Sequence, residues 1–257
     1  MALSIATWNV NSIRARAERV AAWLAASGPD VLCLQELKVE DKAFPRELFT
    51  AAGYEVALHG QKTYNGVAIA SRTPLTDVAI GLDDGVDDPQ ARFIAATVAG
   101  VRVISVYVPN GGMGPEHFAY KLAWLGRLRG WLDRAADPAV PLALCGDFNV
   151  APEDRDVHDP AAWAGQVLCT PEERAALARV TAWGLTDVYR QFHPEGGKYS
   201  WWDYRGLSFF KDQGLRIDQV WATASLTARA TACEIDRVAR KGQNASDHAP
   251  VIATFST

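Results

Sequence analysis

Leu142-Ala-Leu-Cys145 is a short apolar run that stops at once in Gly146-Asp147-Phe148-Asn149. A run of this length bounded by a turn signal reads as a buried strand. A buried strand that ends in a carboxylate and an amide delivers both to the rim of a sheet, where open α/β folds place their chemistry. Taken alone, these four residues fit a simple turn equally well. The arrangement recurs, however. Leu3 to Trp8 alternates toward a strand and stops in Asn9-Val10-Asn11. Val31 to Leu34 stops in Gln35-Glu36. Val101 to Val108 carries Tyr107 and runs into Pro109-Asn110. Leu215 to Trp221 reads as a strand carrying Asp218, and Ser246-Asp247-His248 leads into a last strand over Ala249 to Phe255. Unrelated turns would have to repeat one coincidence, so these polar strand ends are read as one constellation.

The remaining pattern sets the fold class. Ser12 caps a helix running to about Ala26, with Ile13, Val20, Trp23 and Leu24 inward, and Gly28-Pro29 ends it. A short helix lies near Pro45 to Ala52. Tyr54 to Leu58 and Gly66 to Ala70 read as paired strands, and Phe93 to Val98 forms a hairpin with Val101 to Val108. Pro115 opens a helix to about Ala136, with Phe118, Leu122, Leu125, Leu128 and Leu132 on one face. Ala151 to Leu168 is a long polar loop. Thr170-Pro171-Glu172-Glu173 starts a helix to about Trp183, with an N-cap, a first-turn proline and a capping box. Tyr199 to Tyr204 reads as a short aromatic strand, and Thr227 to Ile235 as an edge strand. Strands outnumber helices and many connections are hairpin-like. That predicts an α/β sandwich of two packed mixed sheets flanked by helices, in one domain over residues 1–257.

Composition narrows the chemistry. The net charge of −4 gives no global sign of nucleic acid, which would need basic residues gathered on one face, and it suits carboxylates collected around a metal. The four cysteines are far apart with no Cys-x-x-Cys, so neither zinc nor a disulfide framework is indicated, and Cys33 and Cys145 read as buried thiols. The first residues lack the basic start of a signal peptide and no apolar run reaches membrane length, so a reducing cytoplasm is expected. There is no Gly-x-x-x-x-Gly-Lys loop and no Gly-x-Ser-x-Gly elbow. Hard carboxylate and amide oxygens hold Mg²⁺ together with substrate phosphate. The chemistry they suit is hydrolysis of a phosphate ester.

Seven segments carry a family resemblance: Trp8-Asn9-Val10-Asn11, Leu34-Gln35-Glu36-Leu37-Lys38, Val106-Tyr107-Val108-Pro109-Asn110-Gly111, Gly146-Asp147-Phe148-Asn149, Ser200-Trp201-Trp202-Asp203-Tyr204-Arg205, Leu215-Arg216-Ile217-Asp218 and Ser246-Asp247-His248. In identity and order the series resembles exonuclease III, the apurinic/apyrimidinic endonuclease branch of the endonuclease/exonuclease/phosphatase superfamily. The resemblance covers essentially the whole chain and implies a four-layer sandwich with the site at one edge. It implies Glu36 as the main ligand of Mg²⁺, with Mn²⁺ as the alternative ion, Asn11 and Asp247 nearby, and Asn9 hydrogen-bonding within the site. Asp147, Asn149 and His248 also border the metal. Asp147 activates or orients the attacking water and Asn149 positions it; orientation and full proton abstraction both fit. Asp218 holds His248 against the scissile phosphate, and Tyr107 and Asn110 contact phosphate.

The implied partner is double-stranded DNA with abasic or blocked 3′ ends, bound by a monomer. Arg14, Arg16, Lys62, Lys121, Arg205, Lys211, Arg216 and Lys241 flank the motifs as a candidate basic collar. Met113, in a Gly-rich loop, and Arg205 are candidate wedges for the duplex. Trp201, Leu215 and Ile217 are candidates for an apolar pocket around an outturned abasic sugar. Leu168 departs from the smaller residue many relatives carry, which bears on the balance between abasic sites and 3′ ends. The expected activity is cleavage 5′ to abasic sites with 3′–5′ exonuclease and 3′-phosphodiesterase action. Two alternatives stay open: a phosphatase or phospholipase of the same superfamily, and an inactive DNA-binding relative.

Overall fold

Successive side chains on the central strands are apolar on both faces, and both faces are covered. In the computed structural model, which describes residues 2–256, the chain runs β1 (Ala2–Asn9), β2 (Val31–Gln35), β3 (Glu55–His59), β4 (Val67–Ser71), β5 (Thr76–Ile80) and β6 (Phe93–Val98). It continues through β7 (Val101–Tyr107), β8 (Leu142–Asp147), β9 (Leu185–Asp187), β10 (Asp218–Thr223), β11 (Ala230–Ile235) and β12 (Val251–Ser256). Two six-stranded sheets result, ordered β11-β12-β1-β2-β4-β3 and β5-β6-β7-β8-β10-β9. Each holds one parallel pair at its centre, β1 with β2 and β7 with β8; the other pairings are antiparallel.

The strand period of two sorts the core into three layers. Ile5, Cys33, Ile69, Val103, Cys145 and Val220 face each other between the sheets. Ala6, Trp8, Leu32 and Leu34 point outward onto Val20, Trp23 and Leu24 of α1 (Ala17–Ser27) and Phe49 of α2 (Arg46–Ala51). On the far side, Ile104, Val106 and Leu144 meet α3 (Pro115–Ala135), which buries Trp124, Leu125, Leu128, Trp131 and Leu132. After β8 the long loop contains a one-turn helix, α4 (Pro160–Trp163), and then α5 (Pro171–Thr181) begins with the expected capping box between Thr170 and Glu173. All four cysteines are buried and unpaired. Among the described residues no helix is long and apolar enough to cross a membrane.

Several boundaries differ from the sequence reading. Residues 12 to 16 do not begin a helix. Asn11 and Ser12 take positive φ of 44° and 88°, and the Ser12 and Ile13 amides bond the carbonyls of Glu36 and Leu37. The chain thus extends its partnership with β2 before α1 starts at Ala17. Residues 199–204 are not a strand: Trp201 makes only isolated bridges, to Leu215 and His248. Leu215 to Ile217 likewise precede β10, because the Ser200 hydroxyl accepts the Ile217 and Asp218 amides at 3.1 and 2.9 Å in place of a neighbouring strand. On α3, Phe118 and Leu122 are only half-buried, and Lys121 occupies the stripe instead. Edge strands β5 and β9 were not anticipated.

Candidate active site

The parallel pairs decide where the polar residues meet. Strands β1, β2, β7 and β8 all run toward the same edge of the sandwich and end there at Asn9, Gln35, Tyr107 and Asp147. Strand β10 starts from that edge, with Asp218 directly opposite Asp147. Asp247 and His248 lie just before β12, beside β1. Backbone conformation turns the side chains inward: Glu36 and Asn149 take positive φ of 54° and 49°, strained for a residue with a Cβ and common at functional sites. Gly146 has no substitute, since a Cβ there would overlap the Val106 carbonyl of the paired strand.

Asn9 ties the two sheets together at this edge. Its Nδ2 donates to Glu36 Oε1 at 2.8 Å and to Asp147 Oδ2 at 2.9 Å, while its Oδ1 accepts the Asn11 amide at 2.9 Å. Asn11 Nδ2 donates to Asp247 Oδ1 at 2.9 Å, and Trp201 Nε1 donates to Asp247 Oδ2 at 3.0 Å. Lys38 Nζ bridges Glu36 Oε2 at 2.8 Å and Asn11 Oδ1 at 2.5 Å. Asp147 Oδ1 accepts the Asn149 amide at 2.9 Å, and Asn110 Nδ2 donates to Asn149 Oδ1 at 3.0 Å. Beyond Asp147, His248 Nδ1 pairs with Asp218 Oδ2 at 2.8 Å and His248 Nε2 faces Asp147 Oδ2 at 3.8 Å. Ser246 Oγ links the Asn9 carbonyl to the His248 amide. Of the candidate metal ligands, Asn9, Asn11 and Asn149 each have the amide oxygen accepting one protein donor, the Asn11 backbone amide, Lys38 Nζ and Asn110 Nδ2 respectively.

Burial and charge set the protonation states. Burial pushes Asp147 up to about 7; His248 pulls the other way and Asp218 adds to the rise. Burial works against the His248 imidazolium, but Asp218 and Asp147 outweigh it and carry its pKa up to about 10. Burial also opposes the Glu36 charge, yet Lys38 and Asn9 hold this carboxyl below its ordinary value. Asp247 is low for the same kind of reason, with burial overcome by His248, Trp201 and Asn11. Burial, then Glu36 and Asp147, keep the Tyr107 phenol protonated far above its usual range. The edge therefore presents ionised Glu36 and Asp247, a charged imidazole, a phenol donor, and one carboxyl poised near neutrality. Ligand-type atoms of Glu36, Asp147 and His248 lie within 4.8 Å of one another; with His248 protonated, the two carboxylates are the ones that offer a lone pair to a cation.

The charges at this edge suit a cation and a phosphate. The model of the endonuclease/exonuclease/phosphatase family matches residues 6–248. The chain belongs to this family. Exodeoxyribonuclease III of Haemophilus influenzae is 34% identical over 262 residues, covering 97% of this chain and 98% of that protein. An AP endonuclease from Archaeoglobus fulgidus superposes with a TM-score of 0.96 at 41% identity, over 99% of this chain and 100% of that one. A 3′ phosphatase from Neisseria, solved with a product DNA hairpin, gives 0.95 at 43% identity with the same coverage. The protein is a hydrolase of this exonuclease III and AP endonuclease type.

Two members of the expected basic collar are not on the surface. Lys121 is fully buried, paired with buried Glu173, and donates to the carbonyls of Asn149 at 2.6 Å and Asn110 at 3.0 Å. Its charge fixes two site loops. Arg216 is buried in a network with Asp156 and Asp187 at 2.6 and 2.7 Å, which Arg190 extends through Asp156. Breaking a buried pair from one side leaves an uncompensated charge and costs about 3–5 kcal/mol. Lys121→Met should therefore lower the melting temperature by roughly 10 °C in a chain of this size. Lys121→Met combined with Glu173→Leu should recover part of that loss; a thermal melt of all three variants checks both.

The other DNA-facing candidates divide. Met113 is 82% exposed, so no packing role competes for its side chain. Arg205 is exposed and forms a bidentate pair with Asp203. Asn110 is exposed at the rim. Trp201 is half-buried, but Leu215 and Ile217 are sealed against Ala151, Val157, Leu168 and Cys169. The three pocket candidates thus gather into one closed apolar cluster, which Leu168 helps fill. Sequence reading missed Ser200, Ser246 and the bridging role of Lys38. All three sit inside the motifs quoted above, but their bonds run to partners distant in sequence, Ser200 to the Ile217 and Asp218 amides, Ser246 to the Asn9 carbonyl and Lys38 to Asn11, which no local pattern shows.

Proposed function

We propose that this protein is a Mg²⁺-dependent DNA repair nuclease that hydrolyses the phosphodiester 5′ to abasic sites and trims 3′ ends, acting as a single domain and a monomer. The observation that carries the reading is the meeting of Glu36, Asp147 and the Asp218–His248 pair at one sheet edge. The donor set suits a hard divalent cation. Lys38 already gathers Glu36 Oε2 and Asn11 Oδ1 about one positive charge, so these oxygens tolerate a cation between them. Glu36 and Asp147 would hold the ion, with Asn11 and Asp247 nearby. When bound, it supplies charge neutralisation at the phosphate and the leaving oxygen.

The chain's own residues do the rest. Asp147, poised near neutral pH, orients the attacking water and accepts its proton. His248 keeps its proton and turns Nε2 toward the phosphate, while Asp218 fixes the ring through Nδ1. Tyr107 offers its hydroxyl hydrogen, and Asn149, anchored by Asn110, holds the water side. A lowering of the barrier by about 8–23 kcal/mol needs several such groups, since one preorganised donor supplies about 2.7–4 kcal/mol.

Protonation gives a test of these roles. Cleavage should rise with pH as Asp147 ionises near 7 and fall as His248 loses its proton near 10. Metal binding favours the ionised carboxylate, so more Mg²⁺ should move the acid limb to lower pH and leave the alkaline limb in place. Single-turnover rates across the pH range at two Mg²⁺ concentrations check this; an acid limb that ignores Mg²⁺ would separate Asp147 from the ion.

Substrate choice turns on the filled cluster. A bare sugar turned out of the duplex needs space beside Trp201, and Leu168 occupies that region at a positive φ of 80°. Leu168→Gly removes the side chain and suits that backbone. It should raise abasic-site cleavage relative to release of a 3′ phosphate. The assay is an abasic-analogue duplex beside a 3′-phosphate duplex, an inositol phosphate and a lipid phosphodiester, each with and without Mg²⁺. Turnover confined to the last two would sink the DNA reading.

A further inference from the structure

A groove of about 450 Å³ lies beside the candidate site, between the Asp203–Phe210 segment and the loop after β11; Tyr204, Phe209, Phe210, Arg237, Arg240 and Lys241 form its lining. Arg240 is the unusual member. It is only 8% exposed, and among the described residues no carboxylate comes within salt-bridge distance of it. Its one hydrogen bond is long, 3.5 Å to the Trp202 carbonyl, and its Nε has no partner. The guanidinium lies between the Tyr204 and Phe209 rings, 5.0 Å from each centroid. The other charges nearby are spoken for: Arg237 pairs with Asp212, and Asp203 is taken by Arg205. Arg19 braces the basic loop through the carbonyls of Ala239, Lys241 and Gln243.

A buried cation with no carboxylate in contact is costly unless an anion completes it; Asp247 acts on Arg240 only from beyond salt-bridge distance, and the guanidinium fork matches phosphate. Next to it stands a second open feature. Phe210 is 83% exposed and Leu207 64% exposed; the Phe210 ring meets Phe209 at 5.9 Å in a T-shaped contact and leaves most of its surface open. An anion next to an open aromatic face is the recognition set of a nucleotide, whose base stacks while its phosphate pairs. An acidic peptide would also answer the charge. Continuity favours DNA: the Tyr204 hydroxyl that closes the groove accepts from Arg16 at 2.9 Å and from Asn11 at 3.4 Å, and Asn11 bonds Asp247 of the site.

We propose that this groove binds an unpaired nucleotide of the DNA substrate, its phosphate on Arg240 and Lys241 and its base on Phe210. This rests on the nuclease reading, and the test keeps the two apart. Binding is measured without metal, by fluorescence anisotropy in chelator, for a blunt duplex and for the same duplex with a short unpaired tail on its 3′ or its 5′ strand. One tail should tighten binding about fivefold or more, the low end of what one stacked base supplies. Phe210→Ala should return the tailed duplex to the blunt value and leave Mg²⁺-dependent cleavage of the blunt duplex within about twofold. Arg240→Gln should do the same to binding, with a melting curve to show that it folds; Phe210 is on the surface and carries the test if Arg240→Gln does not. Equal binding of tailed and blunt DNA by the unmodified protein, or a tail advantage that survives Phe210→Ala, overturns the proposal. Failure to cleave any DNA would instead remove the nuclease reading, leaving the binding comparison to be read on its own.

Discussion

Asp147→Asn should lower single-turnover cleavage by about two to four orders of magnitude, the range expected for a positioned general base. DNA binding should hold or tighten, because a negative charge next to the phosphate is removed. The physical reason is specific. Asp147 is held at two oxygens by Asn9 and the Asn149 amide and faces His248 across 3.8 Å. Asparagine keeps the volume, cannot accept a proton from water, and presents an NH₂ where Asn9 already presents one. Measured rates with enzyme in excess of DNA separate the chemical step from product release. A near-normal rate would take the water-directing role away from Asp147 and leave His248 facing a bystander.

Glu36→Ala should have the second large effect. Losing a direct ligand ought to weaken metal binding by at least about 100-fold, the upper end of what outer-shell changes do. The fold should survive, since Glu36 follows the last residue of β2 and its carboxylate bonds Asn9 and Lys38 at the rim rather than filling the core. Calorimetric titration with Mg²⁺ and the cleavage rate should fall together. Metal affinity and turnover that both stay at their original values would show that Glu36 does not hold the ion.

What the sequence made legible was local. The runs before Asn9, Glu36, Asn110 and Asp147 each announce a strand and its end within a few residues, and every one of these side chains arrives at the same edge. The fold class follows from the same runs, because strands apolar on both faces require cover on both. What stayed hidden depends on distant partners. Lys121 reads as a solvated lysine until Glu173, 52 positions away, closes on it in the interior. Arg216 reads as a DNA contact until Asp156 and Asp187 surround it. Ser12 does turn the chain, its Oγ accepting the Ala15 amide at 3.4 Å and its carbonyl the Arg16 amide at 3.2 Å, but its own amide is held by Glu36 across the sheet and α1 starts only at Ala17. Leu215 to Ile217 look like strand residues because no local signal says that the hydroxyl of Ser200 will replace a neighbouring strand. Leu215 and Ile217 do share one apolar cluster, but that Leu168 fills the space beside them is a fact of packing.

The central claim is that water attacks phosphorus at this edge. It is tested most directly by a single turnover on an abasic duplex in oxygen-18 water with Mg²⁺, followed by mass spectrometry of both fragments. Hydrolysis 5′ to the abasic site breaks the bond between phosphorus and the upstream 3′ oxygen. The account predicts one labelled oxygen on the 5′ phosphate of the sugar fragment and a plain 3′ hydroxyl on the other. An unlabelled phosphate with an unsaturated aldehyde at the 3′ end would mean elimination rather than hydrolysis, and would contradict it.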